Sequence, residues 1–355
     1  AKKAKRIGLV EYVMPAERLL DKAAEYLMKK DKDNKSMSDS LTEKASENFL
    51  ARGIIFRKAR QSVLSLTKGF YPAPLKILDH LEASFGKRRS SYLSSEARAF
   101  GELSQTSQSR SLQHVFFLQD EAKKIENKDQ IKSVSQGAVI GGGTMGGGIA
   151  WLMANAGQSP ILKDINQEGL EIGLKQSASV FLKGLKRKKV TPDEFQRKQR
   201  SIKPTLSYKG FQKTDLVIEA VIERMDIKKA VFKDVETKVS KDCLLTTNTS
   251  SLSVNEMATA LEDSSRFAGL HFFNPVNKMP LVEIVRHDNV SDETINKLYK
   301  WCLDVKKTPI IVNDCPGFLV NRILAPFLNE AAYLLDEGVS IEAIDKAVLN
   351  FGMPM

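Results

Sequence analysis

Residues 138–150 read Ala138-Val139-Ile140-Gly141-Gly142-Gly143-Thr144-Met145-Gly146-Gly147-Gly148-Ile149-Ala150. The first three residues predict a short apolar strand, the glycines predict a tight turn, and the apolar run Met145–Ala156 predicts a helix. The turn matches the pattern G-x-G-x-x-G at Gly141, Gly143 and Gly146. The pattern alone is a weak signal, because a glycine-rich turn is often only a turn. Its meaning depends on the residues on either side.

The following strand strengthens this signal. Pro160-Ile161-Leu162 begins a second apolar strand that ends in Asp164. The interval from Gly141 to Asp164 is 164 − 141 = 23 residues, close to the roughly 20 that separate the first glycine from the acid in dinucleotide-binding units. The first glycine makes the turn, the second admits a pyrophosphate, and the third lets helix and strand pack closely. The amino terminus of the helix then faces the diphosphate.

Asp164 selects between two related cofactors. We expect its carboxylate to accept hydrogen bonds from the adenosine ribose, where the 2′-phosphate of NADP would meet a like charge. NAD is therefore the predicted cofactor. The alternative role for Asp164 is an N-cap of the helix that follows the strand.

The rest of the chain consists of predicted helices on either side of a region that contains both strands and helices. Helices are predicted at Glu17–Lys30, Phe49–Leu66, Ser94–Leu103 and Ser111–Lys124, and a further one follows the break Tyr71-Pro72-Ala73-Pro74 and runs to about Ser84. Further strands are predicted at Asp215–Val221, Cys243–Thr247, Phe267–Phe272, Leu281–Val285 and Thr308–Val312, with helices between several of them. After Pro316, helices are predicted at Phe318–Leu335 and, with Ser340 as N-cap, at Ile341–Asn350.

This order predicts an α/β fold built on a Rossmann-type doubly wound, mostly parallel sheet. A helical region (1–132) precedes the nucleotide-binding domain (133–313), and the beginning of an all-α domain follows it (314–355).

Bulk composition excludes several classes of protein. The chain has 355 residues, 42% of them apolar, and no apolar run reaches the ~18 residues of a membrane span. The net charge of +11 comes without a nucleic-acid-binding motif, so we expect no nucleic-acid partner. Three widely spaced cysteines form no framework of pairs, which favours a reducing cytoplasm. We predict no metal site.

A histidine and a glutamate form the predicted catalytic pair. His271 ends a strand, where ligands bind in open parallel sheets, whereas His80, His114 and His287 are expected to be ordinary surface or interface residues. Glu283 lies in the apolar stretch Leu281–Val285 and needs a buried partner. Such a pair suits alcohol oxidation, in which the imidazole removes the hydroxyl proton. The alternatives are a core histidine and an exposed glutamate on an edge strand.

Two polar residues are candidates for binding the substrate. Ser250 follows the strand Cys243–Thr247 and could contact a substrate oxygen. Its alternative role is an N-cap for Val254–Leu261, although Ser253 fits that cap better. Asn321 is a polar residue on the apolar helix Phe318–Leu335, from which it could reach back to the cleft.

Six blocks, taken together, resemble the 3-hydroxyacyl-CoA dehydrogenase family. Their order and spacing fit throughout residues 133–355. The blocks are Val139–Ala150, Ile218-Glu219-Ala220-Val221-Ile222-Glu223, Asn248-Thr249-Ser250-Ser251-Leu252, Gly269-Leu270-His271-Phe272-Phe273-Asn274-Pro275, Met279-Pro280-Leu281-Val282-Glu283-Ile284 and Pro316-Gly317-Phe318-Leu319-Val320-Asn321-Arg322.

The resemblance implies a role for each site residue. His271 would be the general base and Glu283 its orienting partner, Ser250 and Asn321 would bind the reacting end of the substrate, and Asn274 would lie near the nicotinamide. Gly142 stands where the family often has Ala or Leu, a difference from which we expect no consequence. The residues expected to contact NAD are Gly141, Gly143, Met145, Gly146, Asp164, Val221, Ile222, Glu223, Lys228, Ser250 and Asn274.

Residues 1–130 resemble another part of a family member more loosely. Ala4–Val10 is similar to a segment near the end of an enoyl-CoA hydratase (crotonase-like) domain, and Glu96–Leu103 and Phe116–Leu118 are similar to linker helices. The resemblance implies a bifunctional hydratase/dehydrogenase of the kind that forms the alpha subunit of fatty acid oxidation complexes. The chain would be an internal fragment, with the hydratase site upstream of Ala1. A thiolase (beta) subunit would be its partner, and L-3-hydroxyacyl-CoA its substrate.

Other functions stay open at this stage. The chain could act as a non-catalytic scaffold within the oxidation complex, or it could be a Rossmann dehydrogenase of short 3-hydroxy acids. A basic stretch favours an acyl-CoA substrate, because several of its charges could meet the phosphates of coenzyme A, although it could equally be a solvated face. The stretch comprises Lys183, Lys186, Arg187, Lys188, Lys189, Arg197, Lys198 and Arg200.

Overall fold

The computed structural model describes residues 4–5, 9–10, 12–28, 49–125 and 131–353, and the end of the first predicted helix lies outside them. The described chain divides into two compact units, 1–108 and 109–355. The helices of the first unit are α1 (Leu19–Met28), α2 (Phe49–Thr67), α3 (Pro72–Ser84) and α4 (Arg89–Ser104), and α5 (Ser107–Glu121) begins at the division.

Ion pairs connect the helices of the first unit. Arg60 of α2 bonds Asp79 at 2.7 Å and Glu82 at 2.5 Å, both on α3. Lys76 of α3 bonds Glu102 of α4 at 2.5 Å. Such partly exposed pairs contribute little individually, so packing of the half-buried apolar side chains supplies most of the stability. The prediction that this region is helical is confirmed.

The second unit contains an eight-stranded sheet. Its strands are β1 (Gly137–Ile140), β2 (Ile161–Lys163), β3 (Lys203–Thr205), β4 (Leu216–Glu219), β5 (Leu244–Thr247), β6 (Phe267–Phe272), β7 (Leu281–Arg286) and β8 (Thr308–Asn313). Their order in the sheet is β3-β2-β1-β4-β5-β6-β7-β8, and the β6–β7 pair is antiparallel while the other neighbours are parallel. The first six positions follow the 3-2-1-4-5-6 order of dinucleotide-binding sheets, which confirms the predicted fold class.

Helices cover both faces of this sheet. They are α6 (Thr144–Asn155), α7 (Gln167–Lys186), α8 (Pro192–Ser201), α9 (Met225–Glu236), α10 (Val254–Ala258) and α11 (Asp292–Asp304), followed by α12 (Val320–Asp336) and α13 (Ile341–Phe351). Successive residues of β1 alternate between two buried apolar clusters: Val139 packs with residues of α6, α7 and α11, whereas Ala138 and Ile140 pack with residues of α9 and α10. This alternation follows from the period of two along a strand and makes the sheet doubly wound.

Strand order fixes the position of a ligand site. The chain leaves β1 toward β2 on one side of the sheet and returns to β4 on the other, so a crevice opens between β1 and β4. Ligands of such sheets bind outside the carboxyl ends of the strands at this point. We call the edge of the sheet where the parallel strands end the carboxyl edge.

The structure corrects three sequence-based expectations. Strand β3 was not predicted. His287 was expected at the surface or an interface, but it is 4% exposed and its Nε2 lies 3.0 Å from the Phe267 carbonyl oxygen and 3.1 Å from that of Ser264. Burial lowers the pKa of His287, so the neutral ring is a buried donor to these carbonyls. The alternative of Glu283 as an exposed edge residue is also wrong, since Glu283 is completely buried.

Among the described residues, no helix combines the length and the apolar character that crossing a bilayer requires.

Candidate active site

The glycine-rich turn forms a cradle at the carboxyl end of β1. Gly141 has φ +105°, a conformation that an L side chain rarely adopts, and a Cβ on Gly146 would overlap the Gly141 carbonyl oxygen. Gly143 precedes α6, and a Cβ there would meet no protein atom within 4 Å. The space above Gly143 and the amino terminus of α6 is therefore open, as a bound diphosphate requires.

Gly142 is more constrained than the sequence suggested. A Cβ at this position would overlap the Gly169 carbonyl oxygen of α7. The obstacle is backbone, which cannot move aside as a flexible side chain can. Replacing this glycine would therefore require the backbone around Gly169 to shift, whereas the expectation that Gly142 itself is without consequence stays a prediction.

Asp164 lies just after β2 beside the cradle. Its Oδ2 accepts a hydrogen bond from the Gly142 N–H at 2.5 Å, and its Oδ1 accepts one from the Ile165 N–H at 2.7 Å. The N-cap of α7 is Asn166, whose side chain accepts from the Gly169 N–H, so the alternative capping role of Asp164 is wrong. The carboxylate is half-buried, and its contact with an adenosine ribose stays a prediction.

His271 and Glu283 form a buried pair at the end of β6. The two residues lie directly opposite each other on β6 and β7, and His271 Nδ1 is 2.6 Å from Glu283 Oε2. His271 is 5% exposed, and its imidazole contacts the rings of Phe273 and Phe318 at centroid distances of 4.6 and 5.6 Å. Since Nδ1 is held by the carboxylate, Nε2 is the nitrogen left to exchange a proton with a ligand.

The other oxygen of Glu283 contacts the beginning of α12. Oε1 accepts hydrogen bonds from the backbone N–H groups of Leu319 at 3.0 Å and Val320 at 2.9 Å. Burial raises the pKa of Glu283, but the bonds from His271 and from these two amides outweigh it and hold the pKa below its ordinary value. Glu283 is thus a carboxylate that can stabilise an imidazolium. These backbone donors were not predicted, because nothing in a sequence marks an individual amide.

The loops after β4 and β5 meet at a second group of polar residues. Glu223 Oε1 accepts hydrogen bonds from Thr249 Oγ1 at 2.6 Å and the Ser250 N–H at 2.8 Å. Asn321 Nδ2 of α12 donates to the Ser250 carbonyl oxygen at 3.3 Å. The two predicted substrate-binding residues, Ser250 and Asn321, are therefore in contact. The structure also shows that Ser253, through its bond from the Glu256 N–H, is the N-cap of α10.

A buried ion pair lies beneath this loop contact. Lys228 is 1% exposed, and its Nζ is 2.7 Å from Glu219 Oε1 and 3.2 Å from Glu223 Oε2. Burial raises the pKa of Glu219, and the Lys228 ammonium opposes the shift. The pKa of Glu223 is raised by burial but lowered more strongly by Thr249, Ser250 and Lys228, so it lies below its ordinary value. Glu219 was not a predicted site residue, although an acid ending an apolar strand could have identified it.

The remaining predicted contacts lie on the same edge of the sheet. Met145 is partly buried in the first turn of α6 and packs against one of the apolar clusters, and Ile222 is 64% exposed on the loop after β4. Asn274 is exposed on the loop after β6, immediately before a cis peptide bond to Pro275. Asn248 was not predicted, and its Oδ1 accepts from the Phe272 N–H at 2.9 Å, which links the ends of β5 and β6.

Comparison with known proteins identifies the family of the chain. Residues 136–315 match the family model of the 3-hydroxyacyl-CoA dehydrogenase NAD-binding domain, and residues 317–355 match that of the C-terminal domain of the same family. The chain is 38% identical over its whole length to a fatty acid oxidation complex subunit alpha from Shewanella amazonensis. It spans about half (51%) of the length of that relative.

Solved structures give the same assignment. The (S)-3-hydroxybutyryl-CoA dehydrogenase of Ralstonia eutropha is 36% identical, with a TM-score of 0.60, over 62% of this chain and 79% of that one. A 3-hydroxybutyryl-CoA dehydrogenase of Escherichia coli is 37% identical, with a TM-score of 0.57, over 59% of this chain and 44% of that one. The matched NAD-binding family model covers more than half of the sequence. The chain therefore belongs to the 3-hydroxyacyl-CoA dehydrogenase family, as its sequence blocks predicted.

Proposed function

We propose that this chain carries the NAD-dependent oxidation of L-3-hydroxyacyl-CoA to 3-ketoacyl-CoA in fatty acid β-oxidation. The observation that carries the proposal is the buried His271–Glu283 pair, with Nδ1 and Oε2 separated by 2.6 Å at the carboxyl edge of the sheet. The similarity to an oxidation complex alpha subunit supports a role within a multifunctional protein.

His271 acts as the general base in this proposal. Its Nε2 accepts the proton of the substrate hydroxyl as the carbonyl group forms, and the ring becomes an imidazolium. Glu283 holds the ring through Nδ1 and stabilises that positive charge, while Leu319 and Val320 keep the carboxylate ionised. When bound, NAD would supply the acceptor for the hydride from the carbon that bears the hydroxyl group. In the reverse direction His271 returns the proton to the carbonyl oxygen.

Two further contacts position the substrate. The Ser250 hydroxyl and the Asn321 amide bind the oxygen at the reacting carbon, and the hydrogen bond from Asn321 Nδ2 to the Ser250 backbone carbonyl oxygen at 3.3 Å, which places the two residues side by side, supports this pairing. A substrate oxygen held by two polar groups presents its proton in one orientation, which is the main benefit of such positioning.

The basic stretch supports a coenzyme A ester as the substrate. Seven of its eight members are exposed and lie on α7, α8 or the turn between them. Lys198 differs, since it is half-buried and its Nζ bonds Asn155 Oδ1 at 2.8 Å. Several exposed cations on the helix pair α7–α8 suit the phosphates of coenzyme A. Lys198 instead attaches this helix pair to the end of α6.

A partner and a compartment complete the proposal. The matched relative is named as the alpha subunit of a complex, which supports association with a further subunit, and we propose a thiolase (beta) subunit as that partner. Size measurement of the chain alone and mixed with that subunit tests the association.

Cys243, Cys302 and Cys315 are free thiols, and the first two are buried, which supports a reducing cytoplasm.

The proposal is tested by mixing the chain with NADH and acetoacetyl-CoA while recording nicotinamide fluorescence and absorbance. Binding together with oxidation of NADH is the expected result. Binding without oxidation would restrict the proposal to the cofactor site, and failure of the folded chain to bind NADH would overturn it.

Cofactor preference gives a direct prediction. NADPH should bind at least about tenfold more weakly than NADH, because its 2′-phosphate meets the Asp164 carboxylate at close range. The dissociation constants are measured by fluorescence titration at low ionic strength and again at high salt. Since the discrimination is electrostatic, the ratio should shrink when salt is added. Equal affinity for the two nucleotides would contradict the position assigned to Asp164.

Gly143 provides a second prediction for the same site. Gly143→Ala should weaken NADH binding by on the order of tenfold, because the added methyl group occupies the space of the diphosphate and lengthens its hydrogen bonds. Thermal stability should not fall, since a Cβ at Gly143 meets no protein atom within 4 Å. Gly101→Ala is the matched control, because Gly101 lies on α4 with the same open surroundings. An unchanged NADH affinity in Gly143→Ala would show that the diphosphate binds elsewhere.

A further inference from the structure

Glu219 is a completely buried acid at the last position of β4, and it is central to a network of hydrogen bonds. Its Oε1 accepts from the Val221 N–H and from Lys228 Nζ, both at 2.7 Å. Its Oε2 accepts from Thr247 Oγ1 at 2.7 Å, at the end of the neighbouring strand β5. The one carboxylate thus binds the turn after β4, the first helical turns of α9 and the end of β5.

Lys228 extends this network toward the surface. Its ammonium group lies against Glu219 Oε1, Glu223 Oε2 and the Val221 carbonyl oxygen, the last at 3.4 Å. A buried ammonium is costly unless it is paired, so its position depends on these acceptors. The side chain of Glu223 is 38% exposed, and it is the acceptor through which the network reaches the Ser250 N–H.

The polar connection therefore runs from the sheet interior to the site in three steps. Glu219 holds Lys228, Lys228 holds Glu223, and Glu223 holds the backbone of Ser250. In addition, Glu219 fixes the turn 220–223 directly through the Val221 amide. The side chain of Glu223 is partly exposed, but its carboxylate is held by Thr249 and the Ser250 N–H as well as by Lys228, so displacement at Glu219 is transmitted to the surface loops.

We propose that Glu219 is a positioning residue of the cofactor site, which sets the geometry of the turn 220–223 and, through Lys228 and Glu223, of Ser250. The inference deepens the proposed function and rests on it. Glu219 itself, being fully buried, acts on a bound nucleotide through these neighbours.

The test is Glu219→Gln with NADH affinity as the readout. A Gln side chain has one oxygen for three donors and turns an NH₂ group toward at least one of them. We expect the NADH dissociation constant to rise on the order of tenfold, as is typical when hydrogen bonds to charged groups are lost. Glu223→Gln should raise it similarly.

A double-mutant cycle separates positioning from a merely structural effect. If Glu219 positions Ser250 through Glu223, the variant carrying both Gln substitutions should lose less NADH affinity than the sum of the two single losses, and the remaining extra loss reports the direct bond to the Val221 amide. Glu236→Gln is the matched control. Glu236 is another nearly buried carboxylate, paired with Arg266 at 3.3 Å, but it lies at the end of α9, away from the predicted site residues. The Glu236→Gln chain should lose thermal stability while its NADH affinity stays unchanged.

Each outcome decides the inference. A folded Glu219→Gln chain with wild-type NADH affinity, or strictly additive losses in the cycle, would overturn it. Should Glu219→Gln fail to fold, Thr247→Val takes its place, because it removes the hydrogen bond to Glu219 Oε2 without replacing a predicted NAD contact. Wild-type affinity in that variant would likewise overturn the inference. If the wild-type chain itself binds no NADH, the proposed function fails first.

Discussion

His271→Asn should lower kcat by about 10²–10⁴-fold while leaving the NADH dissociation constant unchanged, because it removes a general base and little else. The Asn side chain retains an N–H that can point at Glu283, so the carboxylate does not become an unpaired buried charge. What disappears is Nε2, the nitrogen that exchanges the proton. Steady-state rates with acetoacetyl-CoA and NADH, and NADH titration by fluorescence, measure the two quantities.

The matched control for this experiment is His114→Asn. His114 is exposed on α5, and its replacement should leave both the rate and the affinity as in the wild type. A His271→Asn chain that turned over at the wild-type rate would remove His271 from the mechanism. Parallel loss of rate and of NADH affinity would instead indicate a structural role.

Glu283→Gln should also lower kcat strongly, by about 10²-fold or more, with NADH affinity unchanged. In a histidine–carboxylate pair, an amide in place of the acid favours the wrong tautomer of the ring and no longer stabilises its positive charge. The amide also has only one oxygen for the Leu319 and Val320 N–H groups and the imidazole. Glu293→Gln, at an exposed acid of α11 paired with Lys297, is the control and should leave the rate unchanged.

The pH dependence of stability gives Glu283 a second signature. Its pKa in the folded chain lies below the ordinary value of 4.5. The unfolded chain therefore takes up this proton first, and the stabilisation is present above pH 4.5 and is lost as the pH falls through the folded-state pKa. Thermal unfolding midpoints should fall more steeply on acidification for the wild type than for Glu283→Gln. Parallel curves would show that Glu283 is not a stabilised carboxylate.

Local patterns explain the successful parts of the sequence analysis. The unit from β1 through α6 to Asp164 was predicted within two residues, because its strand, turn and helix are adjacent in sequence and each has its own signal. The His271–Glu283 pair was also predicted, since a carboxylate in an apolar strand implies a buried partner. The family assignment followed from six blocks whose order no single motif could establish.

The missed features share a different cause. Strand β3 has three residues, includes Pro204 and lies at the edge of the sheet, so it has neither the length nor the apolar alternation of a predictable strand. Helix α12 was expected to begin at Phe318 but begins at Val320, because Gly317 and Phe318 both have positive φ. That left-handed turn is also what directs the amides of Leu319 and Val320 at Glu283.

Glu219 shows that a signal can be present and still be overlooked. It is an acid in an otherwise apolar strand, the same pattern that identified Glu283, and it lay within one of the blocks that carried the resemblance. The difference is that its partners, Lys228 and Thr247, lie on separate elements that only the sheet brings together. Its role therefore required the three-dimensional arrangement.

The pairing of β6 with β7 has a consequence for folding fidelity. All six residues of β6 are buried, so both faces of the strand are covered and apolar alternation alone cannot distinguish one alignment from its neighbour. A slip by one residue would send the imidazole of His271 and the carboxylate of Glu283 to opposite faces of the sheet, each without its partner. Two buried polar groups without hydrogen-bond partners carry an energetic penalty, which disfavours the slipped alignment. The same two side chains that we assign to proton transfer thus also select how these strands align.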